Sequence, residues 1–212
     1  MSGTAELAAL VIRNIADIEA AMKHAIEEIG PRIWSNVAGA MTETCDADGW
    51  IAVSDGEDED VWFAEREWLL PDQRKPKADF WLGLDERTAG GNEGENSWLA
   101  TFVASGPNGA TTAFWIDQRI VGKGAWKKLI KANDVIVASL RDCGFSLDED
   151  DDRRLCLPFV LDRELLAIAF ESGDFDEVMR PAASAVAMGM SAAPHLRRLR
   201  ELALAVSAKA AG

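Results

Sequence analysis

Two groups of residues could do chemistry in this 212-residue chain, and they are close neighbours in sequence. The first is a set of carboxylates, Asp79, Asp85, Glu86 and Asp117, in or beside stretches rich in aromatic and β-branched residues. Oxygen ligands converging from neighbouring strands could hold Mg²⁺, with a lysine orienting the attacking water. The second is a run of cations, Arg119, Lys123, Lys127, Lys128 and Lys131, within "FWIDQRIVGKGAWKKLIK". Only one carboxylate, Asp117, shares that stretch, although the whole chain carries 22 Lys and Arg against 36 Asp and Glu, a net charge of −14. On such a molecule a compact positive patch orients a charged partner and speeds encounter.

Other chemistries find little footing. The chain has two histidines, His24 and His195, and no G-x-S-x-G, so nothing local marks a serine nucleophile. Cys45, Cys143 and Cys156 are widely separated and form no CxxC, which argues against zinc and reads as reduced thiols in a reducing, cytoplasmic compartment. "TCDADGWIAVSD" places Asp46, Asp48, Gly49 and Asp55 at four positions of a calcium loop, but Thr44 stands first and the continuation reads as strand. Neither phosphate-binding glycine motif occurs, and no cofactor or metal is implied. The opening "MSGTAELAALVIRNIADIEA" lacks both a cationic leader and a continuous apolar run, which argues against a signal peptide and a membrane span. The negative balance argues against nucleic acid, because phosphates repel such a surface. It leaves a protein partner or self-association, with Asp148–Asp152 of a second copy as one complement to the cations.

The elements that must position these residues follow from periodicity. Leu7, Val11, Ile15, Ile18, Met22, Ile26 and Ile29 recur at spacings of three and four, which predicts a helix with one apolar face, stopped or bent at Gly30-Pro31. From Trp50 to Val121 short aromatic and β-branched runs predict strands at "WIAVS", "VWFAEREWLL", "DFWLGLDE", "SWLATFVA" and "TTAFWIDQRIV". Seven of the eight Trp lie between Trp50 and Trp126, where they serve as core filler rather than as a stacking platform. Residues 124–143 predict one further helix, with Trp126, Leu129, Ile130, Ile136, Val137 and Leu140 inward and Lys127, Lys128 and Lys131 toward solvent. "RLCLPFVL" reads as a last strand, and helices follow from Asp162, the first capped by that residue. The expected fold is α+β: a central antiparallel or mixed sheet of about five or six strands flanked by helices. Residues 1–160 form the α+β part, and 161–212 a helical region packed on it within the same domain.

The order helix, strands, helix, strand resembles that of the restriction-endonuclease-like fold. The resemblance implies a metal-dependent phosphodiesterase with Asp79, Asp85, Glu86 and Asp117 as the available ligands. Here "DER" and "DQR" place arginine where that family's short motif has lysine, so the resemblance implies a degenerate member. The residues themselves favour a non-catalytic interaction or regulatory module with a bipolar surface, binding through Arg119, Lys123, Lys127, Lys128 and Lys131.

Overall fold

The computed structural model describes residues 2–46, 49–55, 60–71, 73–87, 98–105, 109–148 and 154–211. It divides into two compact units, residues 1–35 and 36–212.

The first unit is helical: α1 (Ser2–Arg13), α2 (Ile15–His24) and the start of α3 (Gly30–Cys45). Asn14 separates α1 from α2, at φ −117°, with its side-chain amide donating to the Leu10 carbonyl. Gly30-Pro31 does not stop the helix. Pro31 lacks the N–H an α-helix would use, and the chain absorbs the defect by widening Ala25–Ile29 into a π turn in which the Gly30 N–H reaches back to the Ala25 carbonyl. Helix α3 then begins with Pro31 in its first turn, where the missing donor is tolerated. The expected apolar stripe does not bury itself: Leu7, Val11, Ile15, Met22 and Ile26 are all exposed.

The second unit is an α+β arrangement. Among its described residues a six-stranded sheet is formed by β1 (Trp50–Asp55), β2 (Asp60–Glu65), β3 (Phe80–Arg87), β4 (Thr111–Gln118), β5 (Ser146–Asp148) and β6 (Arg154–Phe159). The order is β1-β2-β3-β4-β6-β5, and every neighbouring pair is antiparallel. The eight-residue pairing of β3 with β4, from Phe80 opposite Gln118 to Arg87 opposite Thr111, is the spine of the sheet.

One face carries an aromatic chain that holds the core together. Trp68 meets Trp50 and Phe80 edge-on at 5.5 and 5.1 Å, Phe63 meets Phe114 at 5.2 Å, and Phe114 stacks on Phe159 at 5.4 Å. Such pairs add about 0.5–1.5 kcal/mol each beyond the area they bury. Five tryptophans, Trp34, Trp50, Trp68, Trp115 and Trp126, are buried, so the indoles serve mainly as filler.

Three expectations need correction. "SWLATFVA" is not a strand: Trp98–Phe102 forms the short helix α4, where Trp98 and Phe102 meet one turn apart at 6.2 Å and Phe102 packs on Phe159. Strand β2 stops at Glu65, because Arg66–Trp68 coils into a 3₁₀ turn that tucks Trp68 into the core. The helix expected over 124–143 is two, α5 (Lys123–Ala132) and α6 (Asp134–Asp142). Asn133 breaks it at φ −123°, ψ 50°, since its side-chain amide competes for the Leu129 carbonyl at 2.7 Å.

After β6, Asp162 caps α7 (Arg163–Ser172) by accepting from the Leu165 N–H at 2.9 Å, as its sequence predicts. Then come α8 (Arg180–Ser191) and α9 (Ala193–Ala211). Helix α8 lies close against the sheet at Gly189, where a Cβ would stand 2.9 Å from the Phe63 ring and 3.3 Å from Leu157. Among the described residues no helix is long and apolar enough to cross a membrane.

Candidate interaction surface

The cationic segment is positioned by the turn between β4 and α5. Gln118, the last residue of β4, clamps that turn with its own side chain: its Oε1 accepts from the Ile120 and Val121 N–H groups, both at 2.8 Å, and its Nε2 donates to the Val121 carbonyl at 2.9 Å. The Arg119 N–H donates to the Asp79 carbonyl at 3.0 Å, fixing the turn to the start of β3. Helix α5 then buries Trp126, Leu129 and Ile130, with Trp126 meeting Phe80 edge-on at 6.2 Å. That apolar anchoring turns the rest of the helix outward, so Lys123, Lys127, Lys128 and Lys131 are exposed, as is Arg119. Lys131 sits in the last turn, where the helix dipole favours a cation. The Arg119 guanidinium lies 4.7 Å from the centre of the Trp81 ring, a cation–π contact that holds one cation of the patch against the central strands β3 and β4.

The four carboxylates are not brought together. Asp79 is committed to Arg200 of α9, whose Nε and Nη2 donate to its two oxygens at 2.8 and 2.7 Å. Asp85 accepts from the Glu86 N–H at 2.8 Å, and adjacent strand positions send Asp85 and Glu86 to opposite faces. Asp117 stands opposite Trp81 in the ladder, four residues along β3 from Asp85, or about 13 Å at the rise of an extended chain. Its carboxylate and the Trp81 Nε1 both crowd over Gly83, each 3.2 Å from where a Cβ would stand. A side chain there would press on both of them. Asp117, Trp81 and Arg119 thus form one packed group on the sheet face opposite the aromatic chain. Among the described residues no three His, Cys, Asp or Glu side chains stand close enough to hold a metal ion. In the calcium-like segment Gly49 adopts φ +76° and β1 follows from Trp50, so strand replaces the helix of a calcium hand; Asp48 lies outside the described residues. Of the "DEDDD" run, only Asp148 is described, at the end of β5.

Sequence reasoning missed a second pair of charged contacts. Arg197 grips Glu65, Nε to Oε2 at 2.9 Å and Nη2 to Oε1 at 2.6 Å, and Glu65 is buried. Donating to the Glu65 and Asp79 carboxylates pushes the Arg197 and Arg200 guanidinium groups further above their already high ordinary pKa. These contacts fasten α9 to the end of β2 and to the residue before β3, so Arg197 and Arg200 of "HLRRLRE" act as structural ties. Arg198, between them, pairs locally with Glu201. Cys45, Cys143 and Cys156 form no disulfide, and burial pushes the Cys45 thiol up to about 12.

Searches for relatives identified no matching family model, curated protein or solved structure.

Proposed function

We propose that this chain is a non-catalytic interaction module that binds an acidic protein partner through the outward face of α5. The observation that carries the reading is the exposure of Arg119, Lys123, Lys127, Lys128 and Lys131 within thirteen consecutive residues of a molecule whose net charge is −14. The dispersal of Asp79, Asp85, Glu86 and Asp117, with Asp79 tied to Arg200, favours binding over hydrolysis. Three unpaired-by-disulfide thiols favour a reducing, cytoplasmic setting. A patch of this kind acts chiefly on the rate and orientation of encounter, so its signature is a steep salt dependence.

The test is a fluorescence titration with an oligoglutamate peptide at two ionic strengths, on the native chain and on Lys128→Glu/Lys131→Glu. Both lysines are exposed, so the thermal midpoint should stay nearly unchanged. Salt-sensitive binding to the native chain that the double variant loses is the expected result. Equal binding by both, or no binding at low salt, would refute the reading.

A further inference from the structure

We infer that residues 2–29 form a self-association segment, in which the apolar stripe of α1 and α2 is covered by the same stripe of a second copy. This rests on different residues from the α5 reading and stands or falls separately.

The stripe is regular in sequence. Leu7, Ile18 and Ile29 are spaced by eleven residues, as are Val11, Met22 and Ile33, and Ile15, Ile26 and Val37. An eleven-residue repeat is 3.67 residues per turn, which keeps apolar side chains on one side of each unbroken helical stretch, here α1 and then α2 on the two sides of Asn14. The repeat runs on into α3, and there its layers are buried: Ile33 and Val37 are both 0% exposed, and Met41, one turn later, is 1% exposed. One repeat earlier, Met22 is 58% and Ile26 69% exposed. The same side-chain types at the same sequence spacing are therefore packed in α3 and bare in the residues before it. Leu10 and Ile12, at 57% and 73%, widen the bare strip.

Size and charge favour a second copy as the cover. Each of these side chains offers about 60–120 Å² of apolar surface when fully bare, so the strip exposes on the order of 300–500 Å² per copy. Two strips covering each other bury about 1,000 Å² in total once the polar margin is included, which is the lower bound for a specific pairing. A twofold arrangement makes one self-complementary patch serve both sides. Electrostatics permits it here: residues 2–35 hold Glu6, Asp17, Glu19, Glu27 and Glu28 against Arg13, Lys23 and Arg32, a net of −2 out of the chain's −14. Between two copies of so acidic a chain, this is a segment where repulsion is weak.

The test is sedimentation equilibrium of the full chain over a concentration series reaching about 200 µM, since an interface at the lower size bound gives micromolar dissociation constants. The expected result is a reversible monomer–dimer equilibrium in the native chain. Ile15→Glu/Ile26→Glu, which places carboxylates in the seam, should weaken it at least about 100-fold. Both positions are exposed, so the near-ultraviolet signal of the tryptophan cluster and the thermal midpoint should be retained. Lys128→Glu/Lys131→Glu should dimerise like the native chain. A native chain that stays monomeric throughout overturns the inference, as does a dimer that persists unchanged in the Ile15→Glu/Ile26→Glu variant. Flotation of the native chain with phosphatidylserine vesicles, without self-association in solution, would also overturn it, because a lipid surface would then be the cover.

Discussion

The Asp79–Arg200 fork links the candidate surface to the far end of the chain, and its strength can be measured. The side chains are 16% and 22% exposed and make two short, parallel hydrogen bonds. An exposed ion pair contributes about 0.2–1 kcal/mol, whereas breaking a buried one costs about 3–5 kcal/mol through the charge left behind. A mostly buried pair with a solvent-facing edge falls between, so Asp79→Asn alone, or Arg200→Met alone, should destabilise by about 2–3 kcal/mol. Methionine retains much of the apolar stem, and the Asp79 carbonyl still receives the Arg119 N–H, which confines the perturbation to the charges. The double variant should lose about as much as either single one, leaving a coupling energy of about 2 kcal/mol. At about 2–4 °C per kcal/mol for a chain of this size, each single variant should melt roughly 4–12 °C lower. Urea unfolding followed by tryptophan fluorescence completes the cycle. Strict additivity, with coupling under about 0.5 kcal/mol, would mean that the fork behaves as a surface pair and that α9 is held by its apolar contacts and the Arg197–Glu65 contact instead.

Two glycines should respond in opposite directions. Gly189→Ala adds a Cβ 2.9 Å from the fully buried Phe63 ring and should cost about 1–2 kcal/mol in urea unfolding, outweighing the gain in helix propensity. Gly39→Ala, on α3 with nothing within 4 Å of the new atom, should stabilise by about 0.5–1 kcal/mol; a reversed ranking would show that the α8–sheet contact is looser than described. Cys45 should make stability fall with pH. Its thiol is raised from near 9 to about 12, so between these values the unfolded chain gives up a proton that the folded chain keeps. The contribution is complete below pH 9 and is lost as pH climbs toward 12, and Cys45→Ala should flatten that part of the profile. An unchanged slope in the variant would assign the alkaline loss to other groups.

Legibility in the sequence followed the range of the interaction. The amphipathic face of α5 was readable because Trp126, Leu129 and Ile130 repeat within one helix, and β3 and β4 because each has eight residues of strand-forming types. The break at Asn133 had a local signal, the Asn-Asp pair ahead of a new apolar stripe, which two in-phase apolar runs on either side concealed. Helix α4 looked like a strand because Trp, Thr, Phe and Val favour sheets, while the contact that decides its form, Phe102 on Phe159, joins residues 57 apart. The separation of the four carboxylates, and the forks from Arg197 and Arg200, depend on strand register and on partners more than 120 residues away, which no local pattern encodes.

Those long reaches also bear on when the molecule can become itself during synthesis. Glu65 and Arg197 are 132 residues apart, so at about 5–20 residues per second a ribosome needs roughly 7 to 26 s to deliver the arginine after the glutamate. Throughout that interval the β1–β2 edge holds a carboxylate whose enclosure has no counter-charge. Until α9 arrives the end of β2 keeps that carboxylate in water, and a nascent chain paused before α8 is complete would offer its aromatic chain to whatever chaperone or neighbouring strand meets it first.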